Sequence, residues 1–239
     1  WRADRIDLPD NAFEQRDLAD ENGLLFTHGV EKLELFAGDA NGHPVADGDA
    51  SSHQILRAEL DTPGPGTTTR TYRIDRNGVM ERLTGGGDWE VVTTEFNGVI
   101  YADQYVRRLE GPGRLLPHDP STAGPAVASF AQLTIVPAQG ARITGDLVYE
   151  RQPCEGSLGR DARGNIQRAQ CNDLDALNVL GIFAPQGDIR IGNHTAADRR
   201  APDDVRIQGS LMTSNGVVSV ERFDQGGPRG SVELLGGII

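Results

Sequence analysis

Short apolar runs that meet a tight turn and then alternate with polar residues dominate the second half of the chain. "ASFAQLTIVPAQGARITGDLVYE" has an apolar run, a turn at Pro137 to Gly140, then Ile143, Leu147 and Tyr149 in alternation. "LNVLGIFAPQGDIRIGN" repeats the design with its turn at Pro185-Gln186-Gly187. "DVRIQGSLMTSNGVVSVER" repeats it again with Asn215-Gly216, and "GSVELLGGII" begins a further copy. Alternation with period two puts one set of side chains on one face of a strand. A unit this short cannot bury both its faces, so neighbouring units are expected to stack and share a continuous core. Gly and Asn at the corners are expected to supply positive φ. The turn glycines Gly140, Gly187 and Gly216 lie 47 and 29 residues apart. Removing the cysteine-bounded insertion between the first two brings that gap near the second.

The pattern therefore predicts an all-β chain: a β-solenoid or β-helix of stacked coils, with insertions leaving at corners. An ordinary β-sandwich carries the same local signals. The predicted solenoid covers 96–239, and 1–95 is expected to be an irregular, hairpin-rich β segment, for instance a cap of the solenoid. Within it Leu33 and Leu35 alternate against Glu34, and Ile55, Ala58 and Leu60 mark another strand. Asn77-Gly78, between alternating runs in "TYRIDRNGVMERL", is the strongest hairpin signal. "DWEVVTTEFNGVIYAD" adds two strands around Asn97-Gly98. No long window carries the apolar spacing of an amphipathic helix.

Composition agrees. Hydrophobic residues are 37% and Gly numbers 30 of 239 residues, which suits many short strands joined by turns. The net charge of −12 repels polyanions at long range, so a nucleic-acid site would need a local basic patch. Lys32 is the single lysine among 23 basic residues. Arginine forms the planar fork that grips carboxylate and phosphate. Candidate clusters are Arg160, Arg163 and Arg168; Arg199 and Arg200; and Arg107, Arg108 and Arg114. Dispersed surface ion pairs are the plainer alternative for each. Tyr101, Tyr105 and Phe223 are candidates for stacking on bases, or for packing.

Cys154 and Cys171 flank a polar, Gly- and Arg-rich segment. Their even number, and the lack of a metal-type spacing, suggest a disulfide closing a surface loop. Such a closure stabilises by about 3 kcal/mol in the chain-entropy model and implies an oxidising compartment. Two free thiols are the alternative. Asp39, Asn41, Asp47 and Asp49 form a weak calcium candidate, because Pro44 stands where an EF-hand loop needs its glycine. His28, His43, His53, His118 and His194 show no zinc spacing. No nucleophile elbow or phosphate loop is present. Asp173 with Asp175, or Asp203 with Asp204, are carboxylate pairs of the kind β-helical glycosidases use, or simply solvated acids. Neither an enzyme nor a cofactor is expected. No run reaches the roughly 18 apolar residues of a membrane helix. The Trp1 start and the apolar finish suggest a region excised from a longer protein.

"FNGVIYADQYVRRLEG", "AQLTIVPAQGARITGDLVY", "LDALNVLGIFAPQGDIRIG", "VRIQGSLMTSNGVVSVE" and "LLGGII" together resemble the β-solenoid part of large minor pilins. These are the ComZ-type, competence-associated proteins of bacterial type IV pili. The likeness spans roughly residues 96–239. It implies a solenoid carried by a pilin head, an extracellular place at the pilus tip beside other pilins, and capture of double-stranded DNA for natural transformation. A structural or adhesive surface domain that binds glycan or protein is the alternative.

Overall fold

The computed structural model describes residues 12–45, 50–62, 66–152, 162–163, 173, 176–193, 196–225 and 229–239. Among the described residues the fold is all-β apart from one helix and two short 3-10 turns. Helix α1 (Ala12–Glu21) leads into β1 (Leu24–Phe26) and β2 (Val30–Gly38). An antiparallel arm follows: β3 (His53–Asp61), β4 (Thr67–Asp75), β5 (Met80–Leu83) and β6 (Trp89–Thr93). Then come β7 (Val99–Ala102), β8 (Val106–Glu110) and β9 (Pro125–Val127); β10 (Gln132–Pro137), β11 (Ala141–Ile143) and β12 (Val148–Tyr149). The last are β13 (Val179–Ala184), β14 (Ile189–Ile191), β15 (Val205–Thr213), β16 (Val218–Val220) and β17 (Val232–Ile238).

Among the described residues the strands form three sheets. The first, β1-β7-β10-β13-β15-β17, is parallel throughout. The second, β16-β14-β11-β8-β2-β3-β4-β5-β6, is parallel as far as β2 and antiparallel along the arm. The third pairs β9 with β12, also in parallel, and a bridge joins Leu147 to Ile207 in β15. The chain thus visits the sheets in the same order from β7 through β9 and from β10 through β12.

The register explains the core. In the first sheet Leu24, Ile100, Ile135, Ile182 and Leu211 stand in one line across successive strands. In the second sheet Val30, Val106, Ala141, Ile189 and Val218 form one line, and Leu33, Leu109, Ile143, Ile191 and Val220 another. All but Val218 and Val220, which pack against them half-buried, belong to a single buried cluster. Each fully buried aliphatic side chain stabilises by about 1.5–3 kcal/mol, and strands about 4.8 Å apart let like side chains stack without voids.

The turns Pro137 to Gly140, Pro185 to Gly187 and Asn215-Gly216 join β10 to β11, β13 to β14 and β15 to β16, as the pattern predicts. The reason for glycine differs from the expectation. Gly140 does have φ of 103°, but Gly187 and Gly216 do not need a positive φ. A Cβ on Gly187 would collide with the Gln139 carbonyl, and one on Gly216 with the Gly187 carbonyl. Close approach of stacked backbones, not left-handed φ, excludes a side chain there.

The β4–β5 hairpin at Asn77-Gly78 forms as predicted, with Gly78 at φ 80°. Two features of the first 95 residues add to the sequence reading. Helix α1 lies in a segment expected to be irregular. Among its described side chains it buries Gln15 and Ala19, while Leu18 stays 44% exposed, so these positions form no apolar stripe to announce it. Further, β1 and β2 pair in parallel with β7 and β8, so both large sheets run across the 95/96 boundary. Buried polar side chains knit the third sheet to the arm. Gln54, fully buried, donates to the carbonyls of Phe36, Ile55 and Ala126 and accepts from the Ala128 amide.

Candidate functional site

The arginines singled out by clustering have separate fates. Arg107 pairs with Glu31 at 3.1 Å and Arg108 with Glu59 at 3.1 Å. Arg114 is buried against Asp146 and also donates to the carbonyls of Asp203 and Asp204. It is a structural tie rather than a surface contact. Its hydrogen bonds to the Asp146 carboxylate hold its pKa above the ordinary value. Arg163 is exposed; Arg160 and Arg168 lie outside the described residues. Arg199 closes a 3-10 turn (Ala197–Arg199), with its Nε buried, and Arg200 follows it, exposed. Cys154, Cys171, Asp47 and Asp49 also lie outside the described residues. The Asp39 carboxylate accepts from the amides of Asn41 and His43 at 2.8 and 2.9 Å, and these bonds depress its pKa. That is the geometry of a turn. Among the described residues, no group of three or more His, Cys, Asp or Glu side chains is placed to hold a metal.

The structure instead aligns arginines that the sequence scatters. Arg142 and Arg190 are register partners on β11 and β14, and Arg142 donates to the Arg107 carbonyl at 3.4 Å. All three lie on the outer face of the second sheet. Each has its acid: Glu31 for Arg107, Glu221 for Arg142 at 2.9 Å, Asp188 for Arg190 at 2.8 Å. Burial alone would raise the Glu221 carboxyl, but its bonds to Arg142 win and hold it low; Asp188 is lowered by Arg190 and by the Val217 amide. Tyr105 lies 5.9 Å from the Arg142 guanidinium, centroid to carbon. Clustering in sequence found only Arg107 of this line. Its signal was positional: Arg142 and Arg190 both stand between two inward aliphatics, in "ARI" and "IRI", the same slot of successive units.

Most of the other described candidates are absorbed by structure. Tyr101 is 5% exposed and packs in a small outer cluster with Ala19, Val136 and Ala138. Phe223 is exposed. Asp173 pairs with Arg151, and Asp175 lies outside the described residues. Asp203 pairs with Arg229 at 2.8 Å, and Asp204 accepts from the Ser231 amide and hydroxyl. The Asp204 pKa is lowered by those bonds, whereas a general acid needs one that is raised.

The clefts on the surface of the described residues include the following two. One, of about 430 Å³, opens between Ile191, Val205, Phe223 and Arg229. The other, of about 350 Å³, lies where the β4–β5 turn meets the loops before β7 and β10. No helix among the described residues is long and apolar enough to cross a membrane. Comparison with protein-family models, curated proteins and solved structures returned no match.

Proposed function

We propose that the chain is a non-enzymatic β-solenoid domain of a bacterial cell-surface assembly, acting as a rigid adhesive or structural module of the minor-pilin kind. Each strand–strand–strand unit is a coil in this reading. The observation that carries it is the register: like residues of successive units stand in line across two parallel sheets, with glycines where stacked turns touch. The described arginines of the outer line are each matched by a carboxylate, and the chain carries −12 overall. Both features favour a glycan or protein partner over a polyanion. The cysteine pair of the sequence supports an oxidising, extracellular setting.

A second reading, duplex DNA capture at the pilus tip, is favoured by one observation, the alignment of Arg107, Arg142 and Arg190. The two readings separate in one experiment: binding to a glycan panel, and to labelled duplex DNA at low and moderate salt. Glycan capture with no salt-sensitive DNA binding supports the adhesive module. DNA binding that weakens with salt and is lost in Arg107→Ala/Arg142→Ala/Arg190→Ala overturns it in favour of DNA capture.

A further inference from the structure

Arg76 is unusual among the arginines of this acidic chain. It sits at the tip of the β4–β5 hairpin, and no described carboxylate lies within ion-pair distance of it. Its guanidinium stacks over Phe130, 5.2 Å from the ring centroid, and makes one long hydrogen bond, 3.4 Å, to the Ser51 carbonyl. Stacking fixes the fork in place at little further entropy cost and leaves most of its N–H groups unspent.

The surroundings of Arg76 make this a site rather than a stray charge. It lines the 350 Å³ cleft together with Phe96, Phe130 and Gln132, over a floor of Ile74 and Leu133. The neighbouring carboxylate, Asp75, is committed elsewhere: it accepts from the Asn77 amide at 2.8 Å, the Val79 amide at 2.9 Å and the Asn77 side chain at 3.2 Å. The Asn97 side chain is committed too, to the Leu18 carbonyl and the Val99 amide. The unspent polar groups facing the cleft are therefore chiefly the Arg76 donors and the Gln132 amide, beside two aromatic rings. That combination suits a ligand with a planar anionic group for the fork and a C–H face for the rings.

The cleft lies at the small end of small-molecule pockets, about 300–1,000 Å³. It accommodates a sugar residue and excludes a duplex. A chain of charge −12 repels a dense polyanion but only weakly opposes a single carboxylate that reaches its partner at contact distance. We propose that this cleft binds a carboxylate-bearing sugar residue, a uronate or a sialate, of an acidic glycan, with Arg76 gripping the carboxylate and Phe130 and Phe96 packing the ring. The proposal rests on the adhesive reading above and gives that module its ligand class.

Isothermal titration calorimetry of the full chain with oligogalacturonate, N-acetylneuraminate, a neutral malto-oligosaccharide and an acidic peptide tests it. At least one acidic sugar should bind and the neutral oligomer should not. Arg76→Gln should weaken binding about 10- to 100-fold, as expected for loss of a charged hydrogen-bonded contact, with Arg76→Lys intermediate and Arg163→Ala unchanged. Far-UV circular dichroism checks that the variants fold, and Gln132→Ala supplies an independent, milder lesion in the same cleft. Failure to bind either acidic sugar, preference for the acidic peptide, or binding unmoved by Arg76→Gln in a folded protein overturns the cleft assignment. Glycan capture that persists in Arg76→Gln sinks the cleft alone and leaves the adhesive module standing. Salt-sensitive DNA binding with silence on every glycan sinks the module itself.

Discussion

Arg114 and Asp146 form a bidentate pair inside the protein: Nε and Nη2 donate to the two carboxylate oxygens at 2.6 and 3.0 Å, and both side chains are 3% exposed. Asp146 also accepts from the Arg206 amide at 2.8 Å. The pair therefore joins the loop after β8, the turn before β12 and the start of β15. Removing one partner leaves a buried charge uncompensated, which costs about 3–5 kcal/mol. Arg114→Ala and Asp146→Ala should each lower Tm by roughly 6–20 °C in a chain of this size, read by differential scanning calorimetry. A loss of less than about 1 kcal/mol would contradict the keystone role.

Acid should destabilise the fold through depressed carboxylates. Burial would raise the Glu150 carboxyl, but the Ser51 amide and hydroxyl and the Ser129 amide bind it at 2.5, 2.7 and 2.5 Å and hold its pKa below the ordinary value. Asp75 is lowered in the same balance, and Asp188 and Asp204 by their hydrogen bonds. A carboxyl whose folded pKa lies below its unfolded one binds fewer protons when folded. Its contribution is full above the unfolded value, about 4–4.5, and is lost as pH falls through the folded value. Urea midpoints should stay level near neutrality and fall below about pH 4.5. Glu150→Gln should lose stability at pH 7 and show a shallower acid slope.

Stacked turns should tolerate no side chain. Gly187→Ala and Gly216→Ala place a Cβ against the backbone of the preceding unit. Each should cost about 1–3 kcal/mol or more, the range for overpacking, seen as a lower urea midpoint at unchanged m-value. Gly85→Ala, with open space around its Cβ position, serves as the control and should stay within about 0.5 kcal/mol of wild type.

Cys154 and Cys171 should be unreactive to a thiol reagent in protein purified from an oxidising compartment and should both label after reduction. Reduction should cost about 3 kcal/mol by loop-closure entropy. Full labelling without reductant would remove the disulfide and, with it, the sequence support for an extracellular setting.

Local signals made the strands and turns legible. Apolar alternation marked β2, β3, β4 and β10 to β17, and Asn77-Gly78 marked its hairpin, because period-two burial and turn chemistry act over a few residues. Helix α1 was hidden because its stability comes from packing Ala19 beside Tyr101 and Val136, a contact with partners more than 80 positions away. Separation along the chain also hid the candidate cleft. Arg76, Phe96, Phe130 and Gln132 belong to separate segments, and nothing local marks them as neighbours.

The sequence by itself determined the all-β class and the corner positions, since both follow from residue type and spacing along the chain. Only the tertiary structure decided which charges are spent. Arg107, Arg108 and Arg114 read as a basic cluster in one dimension, yet each meets an acid brought from elsewhere: Glu31, Glu59 and Asp146. Arg76 reads as an ordinary turn residue, yet no carboxylate among the described residues comes within ion-pair distance of it. Charge pairing is a through-space property that falls off within about 8–10 Å, and the chain alone does not say which residues come that close.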